Sequence, residues 1–211
     1  MNFNKKLKWG KLLWCLFLFI YFFFFFKNLF LSSLPYNQWL PIIFFIVLSY
    51  WMIIEYYFSS PFFQSGIYEY HKVLRTLYSL YFYPFLIFIS VDYCYKNLSQ
   101  INFLKPVINI FGLLIFLIGT ALRLITLFLA LNSSSLNNLT QKPIYKKIRQ
   151  PRYLATLIQL IGIAFTFSSF IGLLLLPIGI LIIIAEARYE DKFLKKYYKD
   201  KKSFLLIPKI I

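Results

Sequence analysis

Long apolar runs of about 20 residues constrain this chain more than any other feature of its sequence. The runs are Leu12–Leu31, Trp39–Phe58, Thr76–Tyr95 and Pro106–Leu131. A run of this length can cross the hydrocarbon core of a bilayer, where backbone polar groups must be bonded within the protein, as they are in a helix. With 60% apolar residues and a mean hydropathy of +0.69, the chain is predicted to be an all-α, polytopic integral membrane protein. We expect about five to six transmembrane helices.

The last apolar stretch, Tyr153–Ala185, is too long for one ordinary span and contains turn-forming residues in Phe165–Gly172. It therefore predicts a C-terminal helical hairpin, whose arms cross the membrane either fully or in part. A cytosolic interfacial helix is expected to follow it. The predicted division is N-terminal spans in residues 1–131 and a unit of cytosolic loop, hairpin and helix in residues 132–211.

The net charge of +16 comes from Lys and Arg residues that cluster between the apolar runs. This distribution follows the positive-inside rule, so both termini are expected in the cytoplasm. Anionic lipid head groups, and not nucleic acid, are the partners that such charges favour in a membrane protein. His71, Cys15 and Cys94 lack the spacing of metal ligands, so no metal site is expected.

Two charged residues lie in predicted spans. Arg123 is well inside its apolar run, roughly 12 Å from the inner end. That depth favours a cavity or an internal partner over snorkelling to the interface. Glu55 is near the inner end of its span, where a functional carboxylate and an ordinary interfacial one are both consistent with the sequence.

Acidic residues are concentrated near the C-terminus. Glu186 and Glu190 are four residues apart and therefore share a helix face. A hairpin would bring them close to Arg149 and Arg152, which precede its first arm. This arrangement predicts a pocket of cations and carboxylates at the inner leaflet, although weak surface ion pairs would give the same spacing.

Four short segments, in order, carry a resemblance to a known family. P-I-Y-K-K-I-R-Q-P-R-Y at 143–153 is similar to the G-P-Y-x-x-V-R-H-P-x-Y element of the isoprenylcysteine carboxyl methyltransferase and phospholipid methyltransferase superfamily. E-D-K-F-L-K-K-Y-Y at 190–198 resembles its E-E-x-x-L-x-x-x-F segment. G-T-A-L-R at 119–123 and L-I-P at 206–208 resemble its G-x-x-L-R and closing I-P.

The resemblance implies a methyltransferase that uses S-adenosylmethionine on a membrane lipid or lipid-linked carboxylate or amine. The cofactor-binding positions that it implies are Tyr145, Arg149, Gln150, Pro151, Tyr153 and Glu190. Arg123 and Glu186 are the candidate catalytic residues.

This sequence departs from the family pattern at two notable positions. Gln150 stands where the family has histidine, and Pro143 stands where it has glycine. A non-catalytic membrane scaffold of the same fold is therefore an alternative. An NADPH-dependent, sterol-reductase-like enzyme is a further one, but the longer Trp- and Cys-bearing tail of such enzymes is missing from this sequence.

Overall fold

The computed structural model describes residues 35–58, 68–93, 99–133, 138–139, 141–148 and 150–194. The first predicted span, Leu12–Leu31, lies outside these residues, as do Arg149 and the segment after Leu194. The helices are α1 (Pro35–Tyr57), α2 (Tyr68–Val91), α3 (Val107–Leu131), α4 (Pro143–Lys147), α5 (Pro151–Thr166) and α6 (Phe170–Leu194).

The all-α, polytopic membrane architecture predicted from the sequence is confirmed. Among the described residues, three helical segments are long and apolar enough to cross a membrane, namely Val73–Val91, Val107–Leu131 and Phe170–Glu190. A shorter apolar helical segment, Trp39–Glu55, accompanies them. Strand pairing in this part of the chain is limited to an isolated bridge between Gln100 and Ser169.

Three helices extend beyond the apolar runs of the sequence. α1 begins at Pro35, before Trp39, because proline is tolerated in the first turn of a helix. α2 begins at Tyr68, before Thr76, because the residues after Gly66 include no proline or glycine until Pro84. α6 continues from the membrane into the acidic segment without a break, since Ala185–Arg188 contains only good or tolerable helix formers. The acidic residues therefore extend the second arm of the hairpin within one helix.

The predicted hairpin turn falls at Phe167–Ser169, between α5 and α6. Ser168 adopts a left-handed backbone conformation with φ of 46°. The loop after α2 contacts this turn, and its Ile101 N–H donates to the Ser168 carbonyl at 2.8 Å. Asp92 accepts hydrogen bonds from the backbone and hydroxyl of Ser99, and the Ser99 hydroxyl lies 3.1 Å from that of Ser169. The turn is thereby fixed to the end of α2.

The closest packing in the fold is between α3 and α5. Gly112, Gly119 and Gly162 lie where the two backbones meet, and a Cβ added at Gly162 would stand 2.5 Å from the Phe116 backbone nitrogen. Such contacts between small residues let membrane helices approach closely. Polar bonds join the same helices, from the Asn109 amide to the Thr166 carbonyl at 2.7 Å and from the Gln159 amide to the Thr120 hydroxyl at 3.0 Å.

Around this contact the remaining helices complete the bundle. α1 packs on α3, α6 packs on α5, and α2 packs on α6. Phe44, Phe116 and Phe167 are fully buried where α1, α3 and the hairpin turn converge. Because α5 and α6 are the two arms of one hairpin and pack on each other, the first turn of α5 lies beside the last turns of α6.

We expect Gly162→Ala to lower the free energy of unfolding by about 2 kcal/mol, because the added methyl group would push against the α3 backbone. Equilibrium denaturation in mixed micelles measures this change. Ala121→Leu, which adds more volume on an exposed position of α3, is the matched control and should leave stability nearly unchanged. Equal effects of the two substitutions would contradict the close packing of α3 on α5.

Candidate functional site

Four helices bring charged side chains together at the end of the bundle opposite the hairpin turn. α1 contributes Glu55 from its last turn, and α3 contributes Arg123 two turns before its end. α5 begins at Pro151, whose fixed φ suits the first helical position, so Arg152 lies in its first turn. α6 contributes Glu186 and Glu190. We call Glu55, Arg123, Arg152, Glu186 and Glu190 the charged cluster.

Glu55 forms ion pairs with two arginines from two different helices. Arg123 Nε lies 3.1 Å and 3.0 Å from the two Glu55 carboxylate oxygens, and Arg123 Nη2 lies 2.9 Å from Oε1. Arg152 Nη2 lies 3.0 Å from the same Oε1. The side chains of Arg123, Glu55 and Arg152 are 12%, 21% and 26% exposed. A guanidinium in apolar surroundings is costly unless paired, and this carboxylate pairs both.

Arg123 is held on its other sides as well. Its Nη1 donates to the Thr156 hydroxyl, which itself donates to the Arg152 carbonyl at 3.0 Å. Its guanidinium lies over the Trp51 ring, 4.7 Å from the centroid, in cation–π geometry. Arg123 thus has the internal partners that the sequence analysis favoured over snorkelling.

The two α6 carboxylates lie on the other side of Arg152. Glu186 is 9% exposed, and both Glu186 and Glu190 are within electrostatic range of Arg152. Glu186 and Glu190 are also within electrostatic range of Tyr153. The sequence predicts that the carboxylates after the hairpin lie close to the residues that precede it. The structure shows this proximity at Arg152 and Tyr153.

The other residues singled out by the sequence have different placements. The Gln150 amide donates to the Ala187 carbonyl at 2.9 Å and so ties the start of α5 to α6. Pro151 is buried at the first position of α5. Tyr145 is buried in a small separate cluster with Ala130 and Leu139. Arg149 lies outside the described residues.

Glu55 and Arg152 are not among the site residues predicted from the sequence, although both stand out there as charged residues. Arg152 occupies an unspecified position of the family element, and Glu55 is far away in the sequence. Charge balance could have predicted the contact with Glu55, because an arginine at the depth of Arg123 needs a carboxylate partner and the predicted spans contain few acidic residues.

Comparison with known proteins identifies the C-terminal half of the chain. Residues 107–201 match the model of the phospholipid methyltransferase family, a little under half of the 211-residue sequence. This segment is similar to phospholipid methyltransferases. It runs from α3 through α6, whereas α1 and α2 precede it. Neither a curated protein nor a solved structure matches the chain.

The donor set of the charged cluster suits an organic cation better than a metal ion. Among the residues that the structure describes, no group of three or more His, Cys, Asp and Glu side chains could hold a metal. Counted with ionised side chains, the cluster has three carboxylates and two guanidinium groups, which leaves one negative charge in excess.

We expect Arg123→Gln to reduce the free energy of unfolding by about 3 kcal/mol, because it leaves Glu55 with a weaker set of donors in a mostly buried site. Equilibrium denaturation in mixed micelles measures the loss. Arg75→Gln, at an exposed arginine of α2, is the control and should change stability by less than about 0.5 kcal/mol. An unchanged Arg123→Gln variant would show that the Glu55 ion pairs add nothing to the fold.

Proposed function

We propose that this protein is an S-adenosylmethionine-dependent membrane methyltransferase that methylates a lipid or lipid-linked carboxylate or amine at the cytosolic leaflet. The observation that carries the proposal is the location of the charged cluster. Four of its five residues, Arg123, Arg152, Glu186 and Glu190, belong to the segment that matches the phospholipid methyltransferase family. They converge at one end of the helices that form it.

The cluster offers groups that complement each charge of this cofactor. S-adenosylmethionine has a sulfonium, an ammonium and a carboxylate, and so has a net positive charge at neutral pH. The carboxylates of Glu186 and Glu190 would attract its cationic groups, and the Tyr153 ring adds an aromatic face. An arginine would bind its carboxylate, and Arg152 is more exposed than Arg123, which is already bidentate on Glu55. Arg149, which the family resemblance implies as a cofactor-binding residue, lies outside the described residues and remains a candidate for the same contact.

The bound cofactor would supply an electrophilic methyl group. Methyl transfer forms a bond from a substrate oxygen or nitrogen to the methyl carbon and breaks the carbon–sulfur bond, whose electron pair stays on sulfur. A carboxylate substrate needs no base for this reaction, whereas an amine must first lose its proton. The contribution of the protein is therefore mainly alignment and exclusion of water, which a site between packed helices provides.

The distribution of basic residues supports a proposal for the orientation of the protein. Exposed basic residues lie near the same end of the bundle as the charged cluster, among them Lys146, Lys147 and Arg188. Cationic loops favour the cytoplasmic side, where S-adenosylmethionine is made available to enzymes. We therefore propose that the charged cluster faces the cytoplasm, with both termini on that side.

We expect the purified protein to bind S-adenosylmethionine with micromolar affinity and Glu190→Gln to weaken that binding at least about tenfold, because it removes one negative charge from the site. Titration calorimetry in detergent measures both. Arg188→Gln, at an exposed residue of the same helix, should bind like the unmodified protein. If the folded protein shows no binding at millimolar cofactor, the enzyme proposal fails and the scaffold alternative gains support.

We expect Gln150→His to change cofactor affinity by less than about threefold, because a histidine ring N–H can donate to the Ala187 carbonyl as the glutamine amide does. The same calorimetry measures it. Cofactor binding that appears only in the Gln150→His variant would instead identify the natural chain as one that has lost its activity. Gln150→Leu, which cannot donate, is the companion variant and should bind more weakly than either.

A further inference from the structure

Large apolar side chains are exposed at the end of the bundle that contains the hairpin turn. Trp39, Phe103, Val107 and Phe170 are between 59% and 89% exposed. We call these four residues the apolar belt. They come from α1, the loop before α3, the start of α3 and the start of α6. Because the exposed residues are spread over several elements, the belt resembles the interfacial belt of a membrane protein and not a single docking face.

Three helices place the apolar belt and the charged cluster the same distance apart. In α1, α3 and α6 alike, a belt residue precedes a residue of the charged cluster by 16 positions. The pairs are Trp39 and Glu55, Val107 and Arg123, and Phe170 and Glu186. At 1.5 Å per residue, each separation is roughly 24 Å along the helix. The belt and the cluster are therefore two levels of the bundle.

Contacts at the cluster keep these helices in register. Glu55 of α1 is bonded to Arg123 of α3 at 2.9 Å and to Arg152 of α5 at 3.0 Å. The Gln150 amide, at the start of α5, donates to the Ala187 carbonyl of α6 at 2.9 Å. Since α1, α3 and α6 meet at this level, the residues 16 positions earlier also share a level.

Hydrogen bonds fix the loop before α3 at the level of the belt. The Ile101 N–H donates to the Ser168 carbonyl at 2.8 Å, within the hairpin turn. The Phe170 N–H, at the first residue of α6, donates to the Ser99 carbonyl at 2.7 Å. The loop and the start of α6 therefore form one end of the bundle.

The turn at residues 102–105 combines apolar and polar side chains. Phe103 is 89% exposed, and its neighbour Asn102 is exposed as well. Lys105 is partly exposed and lies over the Tyr93 ring, with Nζ 5.4 Å from the centroid. An exposed phenylalanine is unfavourable in water, whereas a lysine is unfavourable in the hydrocarbon core. The boundary between head groups and acyl chains is the level that suits both.

We infer that the apolar belt binds the head-group boundary of the leaflet at the hairpin-turn end, and that the charged cluster lies inside the hydrocarbon boundary of the opposite leaflet. A hydrocarbon core is about 30 Å thick, so a separation of roughly 24 Å leaves the cluster about 6 Å short of the second boundary. Helix tilt shortens the separation along the membrane normal further. This depth explains why Arg123 and Arg152 share an internal carboxylate, which a guanidinium among head groups would not need.

The inference concerns the position of the protein in the bilayer and goes beyond the proposed methyltransferase activity. For a lipid acceptor, it means that the reacting group would approach the charged cluster from within the leaflet and not from water. The two proposals fail separately, because a contradicting depth leaves the calorimetric test of cofactor binding untouched, and absent cofactor binding leaves the depth untouched.

Spin-label accessibility of the full chain, in vesicles of phosphatidylcholine and phosphatidylglycerol, tests both depths. Cys15→Ala and Cys94→Ala first remove the two native thiols. Single labels are then attached at four exposed positions, through Phe103→Cys, Ile118→Cys, Ala185→Cys and Lys146→Cys. Accessibility to oxygen rises towards the bilayer centre, whereas accessibility to a water-soluble nickel complex falls. The ratio of the two gives the depth of each label.

We expect the label at position 103 at the boundary of its leaflet and the label at position 185 roughly 6 Å inside the opposite boundary. Position 118, midway along α3, should lie near the bilayer centre, and position 146, in α4, should lie in water. These two labels are the matched controls. Phe170→Cys should give the same depth as Phe103→Cys, and it replaces that variant if the latter does not fold.

Three results would overturn the inference. A label at position 103 as accessible to the nickel complex as the label at position 146 would place the apolar belt in water. A label at position 103 that neither reagent reaches would identify a partner protein or a second copy of the chain as the occupant. A label at position 185 with the accessibility of the label at position 146 would place the charged cluster outside the hydrocarbon core.

Discussion

One carboxylate is paired with two arginines inside an apolar bundle. The end of the bundle opposite the hairpin turn depends on this constraint. Glu55, Arg123 and Arg152 come from α1, α3 and α5, so their helices must meet at one level. Buried ion pairs contribute little net stability, because desolvation offsets most of the attraction. Their effect is on geometry, since a shift of α1 by one turn would leave both arginines without this partner.

At the other end of the bundle, hydrogen bonds have the corresponding role. The turn after α5 is held by the loop that follows α2, through Ser99 and Ser169 and the buried carboxylate of Asp92. Between the two ends, Gly112, Gly119 and Gly162 allow α3 and α5 to touch along their length. The hairpin is therefore fixed at both ends, and at its open end Arg152 of α5 lies near the carboxylates of α6.

This arrangement explains why a site can form in a chain with few acidic residues. The sequence has seven acidic residues against 23 basic ones, and three of the seven are in the charged cluster. Most basic residues suit a membrane surface, where they meet water and lipid head groups. Three carboxylates are instead brought to one place by α1 and α6, which are far apart in the sequence.

The features predicted correctly are those that depend on local sequence. Apolar run lengths located the membrane-length helices α2 and α3, and the residues around Ser168 located the hairpin turn. The four-residue spacing of Glu186 and Glu190 placed them on one helix face. The ends of α2 and α6 were less predictable, because no strong breaker stands at Thr76 or Ala185 and neighbouring helices decide how far each extends. The division of the chain at residue 131 stays a prediction, although α3 and α5, on either side of it, pack closely.

By itself, the sequence determined that this protein is helical and membrane-embedded, and its short motifs indicated the family of its C-terminal half, because hydropathy and motif spacing are local properties. Only the tertiary structure decided which charges are partners. It paired Glu55 with Arg123 and Arg152, joined Gln150 to the Ala187 carbonyl, and placed Tyr145 in a separate apolar cluster. Such pairings depend on how helices rotate and cross in three dimensions, and in a membrane that is set by close packing and by the need to neutralise buried charge.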